Sequence, residues 1–221
     1  MLAAAKLKNI VTLLQGGGVV ALPTETVYAL AGDARNLSVI KRIFELKKRP
    51  LHQPLSVLLP QNYDILAWTD QVNSIARRLI DYFWPGPLTL VFRKNKSVLS
   101  ELVGGRETIG LRVPDHSIAQ AILRALACGL AAPSANLYTQ CSPTNVDHVR
   151  QVFSEQIDTI IDGGPCAVGI ASTIVDVTKS IPRILRLGAI LKKDLQCVVD
   201  SEFVEDYSTT MITGITLPEK K

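Results

Sequence analysis

Apolar positions along the chain alternate between two periods, and the alternation predicts the elements. Leu7, Ile10, Val11 and Leu14 recur at helical spacing and Gly16 follows as a stop, so the chain opens with a short amphipathic helix. Residues 19–22 read as a buried strand. Asn36 or Ser38 can cap a second helix with the stripe Val39, Ile40, Ile43 and Phe44, which ends at Lys47-Lys48-Arg49 before Pro50. Residues 55–59 form a continuous apolar run of strand length. Val72, Ile75, Ala76, Leu79, Ile80 and Phe83 then repeat at helical period up to Trp84-Pro85-Gly86-Pro87. Strands follow at 88–92 and 109–113, a helix at 118–127, and a short strand at 130–132 that runs into Pro133-Ser134-Ala135-Asn136. A helix at 146–153 and strands at 159–161, 173–177 and 183–187 complete the pattern.

Strands separated by helices predict an α/β fold. The irregular spacing, with Pro- and Gly-rich joints after residues 84, 104 and 162, favours a twisted mixed sheet with flanking helices over a regular doubly wound one. With 221 residues, 47% of them apolar, the chain is expected to form a single domain over 1–200 with a loosely ordered tail over 201–221. No apolar run reaches the length of about 18 residues that a membrane helix needs. Lys6 and Lys8 within the first helical pattern, with no small-residue cleavage site, argue against a signal peptide, so a cytoplasmic protein is expected.

Charge and reactive residues narrow the chemistry. The net charge of +4 suits an anionic ligand, small or polymeric. Cys128, Cys141, Cys166 and Cys197 form no C-x-x-C pair, and His52, His116 and His148 form no H-x-x-x-H pair, which excludes the usual zinc patterns. No phosphate-loop or dinucleotide-binding glycine pattern occurs. Gly16 to Gly18 precede their strand, whereas a phosphate loop follows one, so they read as a helix C-cap and turn. No G-x-S-x-G surrounds a serine. Lys47-Lys48-Arg49 is either a solvated helix end or a cationic cluster aimed at an anion. Ser134 and Asn136 either serve a turn or present polar groups at a strand end, where open α/β sheets bind ligands. Arg112, inside an apolar strand, requires a paired anion: a structural carboxylate such as Asp115 or Asp33, or a ligand's.

Eight segments resemble, in order, the YrdC/TsaC family of threonylcarbamoyl-AMP synthases. They are Leu22-Pro23-Thr24-Glu25-Thr26-Val27-Tyr28, Lys47-Lys48-Arg49-Pro50, Trp84-Pro85-Gly86-Pro87-Leu88-Thr89, Leu111-Arg112-Val113-Pro114, Pro133-Ser134-Ala135-Asn136, Ser142-Pro143-Thr144, Ser172-Thr173-Ile174-Val175-Asp176 and the run from Ile184 to Ile190. The resemblance covers about residues 7 to 190. It implies a mixed sheet around a basic concave cavity, and a nucleotidyltransferase that makes threonylcarbamoyl-adenylate and pyrophosphate from L-threonine, bicarbonate or CO₂, and ATP. Mg²⁺ would be bound mainly through the triphosphate, with no protein ligand to it implied. A partner transferase would carry the product onto tRNA, and weak RNA binding is an associated expectation. By the same resemblance, Lys47, Arg49, Ser134 and Asn136 form a catalytic tetrad on the nucleotide. Gln53, Thr108, Ser142 and Arg186 add ATP contacts, and Thr26, Arg112, Ala132 and Ser172 contact threonine. The chain departs from the family pattern at Ala29, Ala31, Leu58, Leu187 and the loop Tyr138-Thr139-Gln140-Cys141, and it resembles the short form without a further C-terminal domain. The alternative reading is a non-catalytic RNA-binding or ribosome-assembly protein, against which the 5% aromatic content counts.

Overall fold

The structure, a computed structural model, describes residues 2–206. Helix α1 (Ala4–Gln15) leads into β1 (Val20–Leu22), β2 (Ala29–Asp33), α2 (Leu37–Lys47) and β3 (Val57–Leu58). Next come α3 (Ser74–Phe83), β4 (Leu88–Arg93), β5 (Thr108–Arg112), α4 (Ser117–Leu126), β6 (Leu130–Ala131) and α5 (Val146–Phe153). The order closes with β7 (Thr159–Ile160), β8 (Thr173–Asp176), β9 (Arg183–Arg186), α6 (Lys192–Val198) and β10 (Val204–Glu205). A single 3₁₀ turn, Ile65–Ala67, lies between β3 and α3. The expected tail over 201–221 falls, from residue 207, outside the described residues. Its described beginning includes β10, which pairs parallel to β9.

The ten strands form one sheet in the order β10-β9-β8-β4-β5-β3-β6-β2-β1-β7. Pairings are mixed: β1 with β2 and β4 with β5 run antiparallel, while β3 with β5 and β4 with β8 run parallel. The mixed sheet expected from the sequence is therefore the one observed.

Period-two alternation divides the side chains between two cores. Val20 and Leu22 of β1, with Ala29 and Ala31 of β2, face a cluster completed by Ile10 and Leu14 of α1 and Ala119, Ile122 and Leu123 of α4. Val19, Ala21, Tyr28 and Leu30 face the opposite cluster, under Ile40, Ile43 and Phe44 of α2 and Val149 and Phe153 of α5. Leu90, Phe92, Ile109, Leu111, Val175 and Ile184 continue this second core across β4, β5, β8 and β9. On the first face, α1 and α4 cover only the β1, β2, β3 and β6 side of the sheet. Over β4, β5, β8 and β9 that face is bare of helices.

Local signals set the helix ends. Asn36 caps α2 through its side-chain oxygen, which accepts from Ser38 N and Val39 N. Gly17 takes φ +86, while Gly18 N–H donates to Leu13 O, so the opening glycines end α1 and turn the chain into β1.

Candidate functional site

The bare face is the floor of a cleft of about 1190 Å³, part of it open to solvent. Thr89 and Val91 of β4, Thr108, Gly110 and Arg112 of β5, Ile174 of β8, and Leu185 and Arg186 of β9 all point into it. On β4, β5 and β8 each alternates with a buried residue of the same strand, so one period builds both hydrophobic support and site. On β9 an irregularity in the pairing with β8, where Arg186 faces Ile174 and Ile184 faces Val175, lets the neighbours Leu185 and Arg186 both reach the lining. Gly110 keeps the floor low: a Cβ there would lie 3.3 Å from both Ser56 Oγ and Thr89 Cγ2. The walls come from the 24–29 segment, the 54–58 segment with Arg49, and Ala132, Pro133, Ser134 and Ser142. Arg49, Arg106, Arg112 and Arg186 line the cleft, and among the described residues no Asp or Glu does.

Three of these arginines are fixed by the protein. Arg49 donates through Nε to Gln53 O at 3.2 Å and through Nη2 to Pro54 O at 3.0 Å, and its guanidinium lies 5.4 Å from the centre of the Tyr138 ring. Arg186 donates through Nε and Nη2 to Ser172 O, at 3.0 and 2.7 Å, and through Nη2 to Ser172 Oγ at 3.1 Å. Burial pushes both down to about 10, with the charge of Arg112 acting in the same direction on Arg186. Arg112 donates through Nε to Gly86 O at 3.0 Å, and its Nη2 sits 2.7 Å from Glu25 Oε1.

The Arg112 pair corrects the sequence reading. Its carboxylate partner is Glu25, not Asp115 or Asp33, and Asp33 instead pairs with Arg35 at 2.8 Å. The Arg112 contact has the distance of an ion pair but not the angle of a hydrogen bond, so both buried Glu25 oxygens lack a donor. Charge, rather than directed bonding, holds the two together.

Of the residues expected to touch ligand, Arg49, Ser134, Thr108, Ser142, Arg186, Arg112, Ala132 and Ser172 line the cleft together. Thr26, Lys47, Gln53 and Asn136 do not: they are 0, 1, 6 and 7% exposed and stand behind its wall. Thr26 Oγ1 bonds Thr24 Oγ1 at 3.0 Å, and it is Thr24 that reaches the lining. Lys47 Nζ donates to the carbonyls of Ser134 and Asn136, and Lys47 O accepts from Tyr138 N at 2.9 Å. Burial, helped by the neighbouring Arg49 charge, lowers its pKa to about 7. Asn136 Nδ2 donates to Leu137 O and Gln140 O at 2.7 and 2.8 Å, leaving Oδ1 buried without a partner. Gln53 Oε1 is likewise buried and without a partner.

The rest of the wall follows from backbone pairing. Ala29 bridges Ser134, Leu30 N–H donates to Pro133 O, and Ala135 N–H donates to Tyr28 O, which locks the 24–28 loop beside the 133–136 strand end. The Thr24 hydroxyl donates to Val27 O at 2.6 Å and shapes the loop internally. Ser172 Oγ and Thr89 Oγ1 lie 2.9 Å apart at the Arg112 end of the floor.

The sequence reading missed Thr24, Glu25, Ser56, Thr89 and Arg106. The signal for one of them was present: positions 106, 108, 110 and 112 share one parity, but a strand expected to start at 109 hid Arg106. Among the described residues no group of three or more His, Cys, Asp or Glu could hold a metal ion. No helix there is long and apolar enough to cross a membrane.

Fold and cleft define a mixed α/β protein whose uncovered sheet face carries guanidinium and hydroxyl groups. A family model described as "Telomere recombination", for Sua5, YciO and YrdC, matches residues 12–188. The chain belongs to this Sua5/YciO/YrdC family. It is 40% identical over 188 residues to the threonylcarbamoyl-AMP synthase of Bacillus subtilis, an alignment covering 85% of this chain and 54% of that protein. It superposes on Pyrococcus abyssi Sua5 complexed with L-threonine with a TM-score of 0.89 and 35% identity, covering 92% of this chain and 60% of that one. For Escherichia coli YciO the TM-score is 0.78 and the identity 27%, covering 86% of this chain and 92% of that one. The chain thus spans little more than half the length of the Bacillus and Pyrococcus proteins.

Proposed function

We propose that the protein is a threonylcarbamoyl-AMP synthase. The observation that carries this reading is the cleft lining: Arg112 and Ser172 stand at one end of the floor, Thr108 at the other end of β5, and Arg49, Ala132, Ser134 and Ser142 in the walls, with no carboxylate among the described lining residues. The names of its relatives and the threonine complex of one of them support the same assignment.

The chemistry asks for this kind of lining. The amine of L-threonine adds to the carbon of CO₂, supplied as such or from bicarbonate, and loses a proton to give a carbamate. A carbamate oxygen then attacks the α-phosphorus of ATP, the bond to the bridging oxygen breaks, and pyrophosphate leaves. The nucleophile belongs to the substrate, so the protein's part is to position the reactants and neutralise charge. Arg112 receives the amino-acid carboxylate beside Ser172 and Ala132. Arg49, Arg186, Ser134, Ser142 and Thr108 hold the nucleotide. Lys47, Gln53, Asn136 and Thr26 act from behind the wall, Lys47 by bracing the Ser134 and Asn136 carbonyls. Mg²⁺ fits as part of the substrate, since the lining offers hydroxyls but no carboxylate to hold it. The adenylate passes to a tRNA-threonylcarbamoyl transferase, which places the reaction in the cytoplasm.

The test is pyrophosphate release by purified protein with MgATP, bicarbonate and L-threonine, repeated without threonine and with serine in its place. Release that depends on threonine, with the adenylate found by mass spectrometry, is expected. No product with any of several amino acids overturns the assignment, and a salt-sensitive RNA complex without ATP turnover would replace it with the RNA-binding reading.

A further inference from the structure

Arg106 differs from the other three arginines of the cleft. It lines the cavity and is half-buried, yet among the described residues its side chain makes no hydrogen bond or ion pair, whereas Arg49, Arg112 and Arg186 are each tied to protein groups. A guanidinium facing a cleft with no carboxylate among its described lining residues can take an anionic ligand.

Its place in the fold says which anion. Arg106 stands two residues before β5 and keeps the parity of Thr108, Gly110 and Arg112, so it extends the cleft floor beyond the end opposite Arg112. From Thr108 to Arg112 alone the strand covers about 13 Å at roughly 3.3 Å per residue. The turn that carries Arg106 is fastened to the segment that carries Arg49. Leu55 N–H donates to Leu102 O at 2.9 Å, Arg106 N–H to Val103 O at 3.1 Å, and Gly104 packs so closely that a Cβ would come 2.6 Å from His52 O. Arg49 in turn donates to Pro54 O. Two guanidiniums thus arise from adjoining segments at the same end, one fixed and one with its donors free.

We infer that Arg106 binds the outer phosphates of ATP, those that depart as pyrophosphate, and forms with Arg49 a clamp on the leaving group. This rests on the function proposed above. Arg112 faces the carboxylate of the amino acid at the far end of β5, while Arg106 faces the charge that grows on the bridging oxygen as the α-phosphorus bond breaks.

Calorimetric titration of Arg106→Ala and Arg106→Lys with ATP, AMP and pyrophosphate tests it. Arg106→Ala is expected to weaken ATP and pyrophosphate by roughly ten- to a hundredfold, the range for hydrogen bonds to a charged group. AMP affinity and the KM for threonine stay unchanged, and Arg106→Lys restores part of the loss. Equal weakening of AMP and ATP, or unchanged ATP and pyrophosphate binding, overturns the clamp. Failure of the unaltered protein to bind ATP and pyrophosphate overturns the clamp and the proposed function together, whereas unaltered binding by Arg106→Ala overturns the clamp alone.

Discussion

Lys47 gives the sharpest quantitative expectation. It is 1% exposed, and its ammonium meets two backbone carbonyls and no carboxylate. Burial first, and the charge of Arg49 second, bring its pKa from an ordinary 10.5 to about 7. A neutral amine still has two N–H groups, enough for the carbonyls of Ser134 and Asn136, so losing the proton need not break the brace. Between pH 7 and 10.5 the unfolded chain binds a proton here that the folded protein has released, and folding stability therefore rises with pH across that window. Integrated from pH 7 to 9, at 1.36 kcal/mol per unit, the gain is about 2 kcal/mol. Cys128 and Cys166, both raised to about 11 by burial, act in the opposite direction but only above pH 9. Urea unfolding at pH 7, 8 and 9 should show the rise in the unaltered protein and its absence in Lys47→Met, so that the cost of the substitution grows by that amount. Parallel pH profiles for the two proteins would refute the reasoning.

Other expectations follow from the same contacts. Glu25→Gln leaves Arg112 buried without its counter-charge and should destabilise the fold by about 3 kcal/mol in urea denaturation, with a rise in the KM for threonine. Tyr138→Leu removes the ring face under Arg49 and should raise the KM for ATP severalfold, in line with a cation–π contact of about 1 kcal/mol. Arg49→Ala should lower turnover by about a hundredfold, roughly 3 kcal/mol of transition-state stabilisation, measured as pyrophosphate release.

Much of the fold was legible because its strands alternate or run apolar and its helices carry stripes. The expected elements at 146–153, 173–177 and 183–187 lie within a residue of α5, β8 and β9. Strand β2 escaped because Ala29-Leu30-Ala31-Gly32 combines small residues with burial on both faces, which leaves no alternation to read. Helix α6 escaped because Leu195 is its one buried residue. In the site, arginines inside apolar strands announced themselves by the cost of burying them. Their partners did not, since Glu25 and Arg112 are far apart in sequence and meet only when the 24–28 loop folds over the floor. Nor could sequence tell that Lys47 and Asn136 stand behind the wall while Ser134 and Arg49 form it, a distinction of side-chain direction at the end of one helix and one strand.

The shared parity of β5 has a consequence for variation. Ile109 and Leu111 are nearly fully buried in the core, while Thr108, Gly110 and Arg112 face the cleft. Deleting or inserting one residue within the strand would swap the two sets, sending a guanidinium into hydrocarbon and an isoleucine into the cleft. The core thus acts as a phase lock on the site, since a frame-shifted site there would cost the core its packing. A length change in the 94–105 turn leaves that phase untouched, and an altered loop there would reposition Arg106 while Arg112 keeps its place.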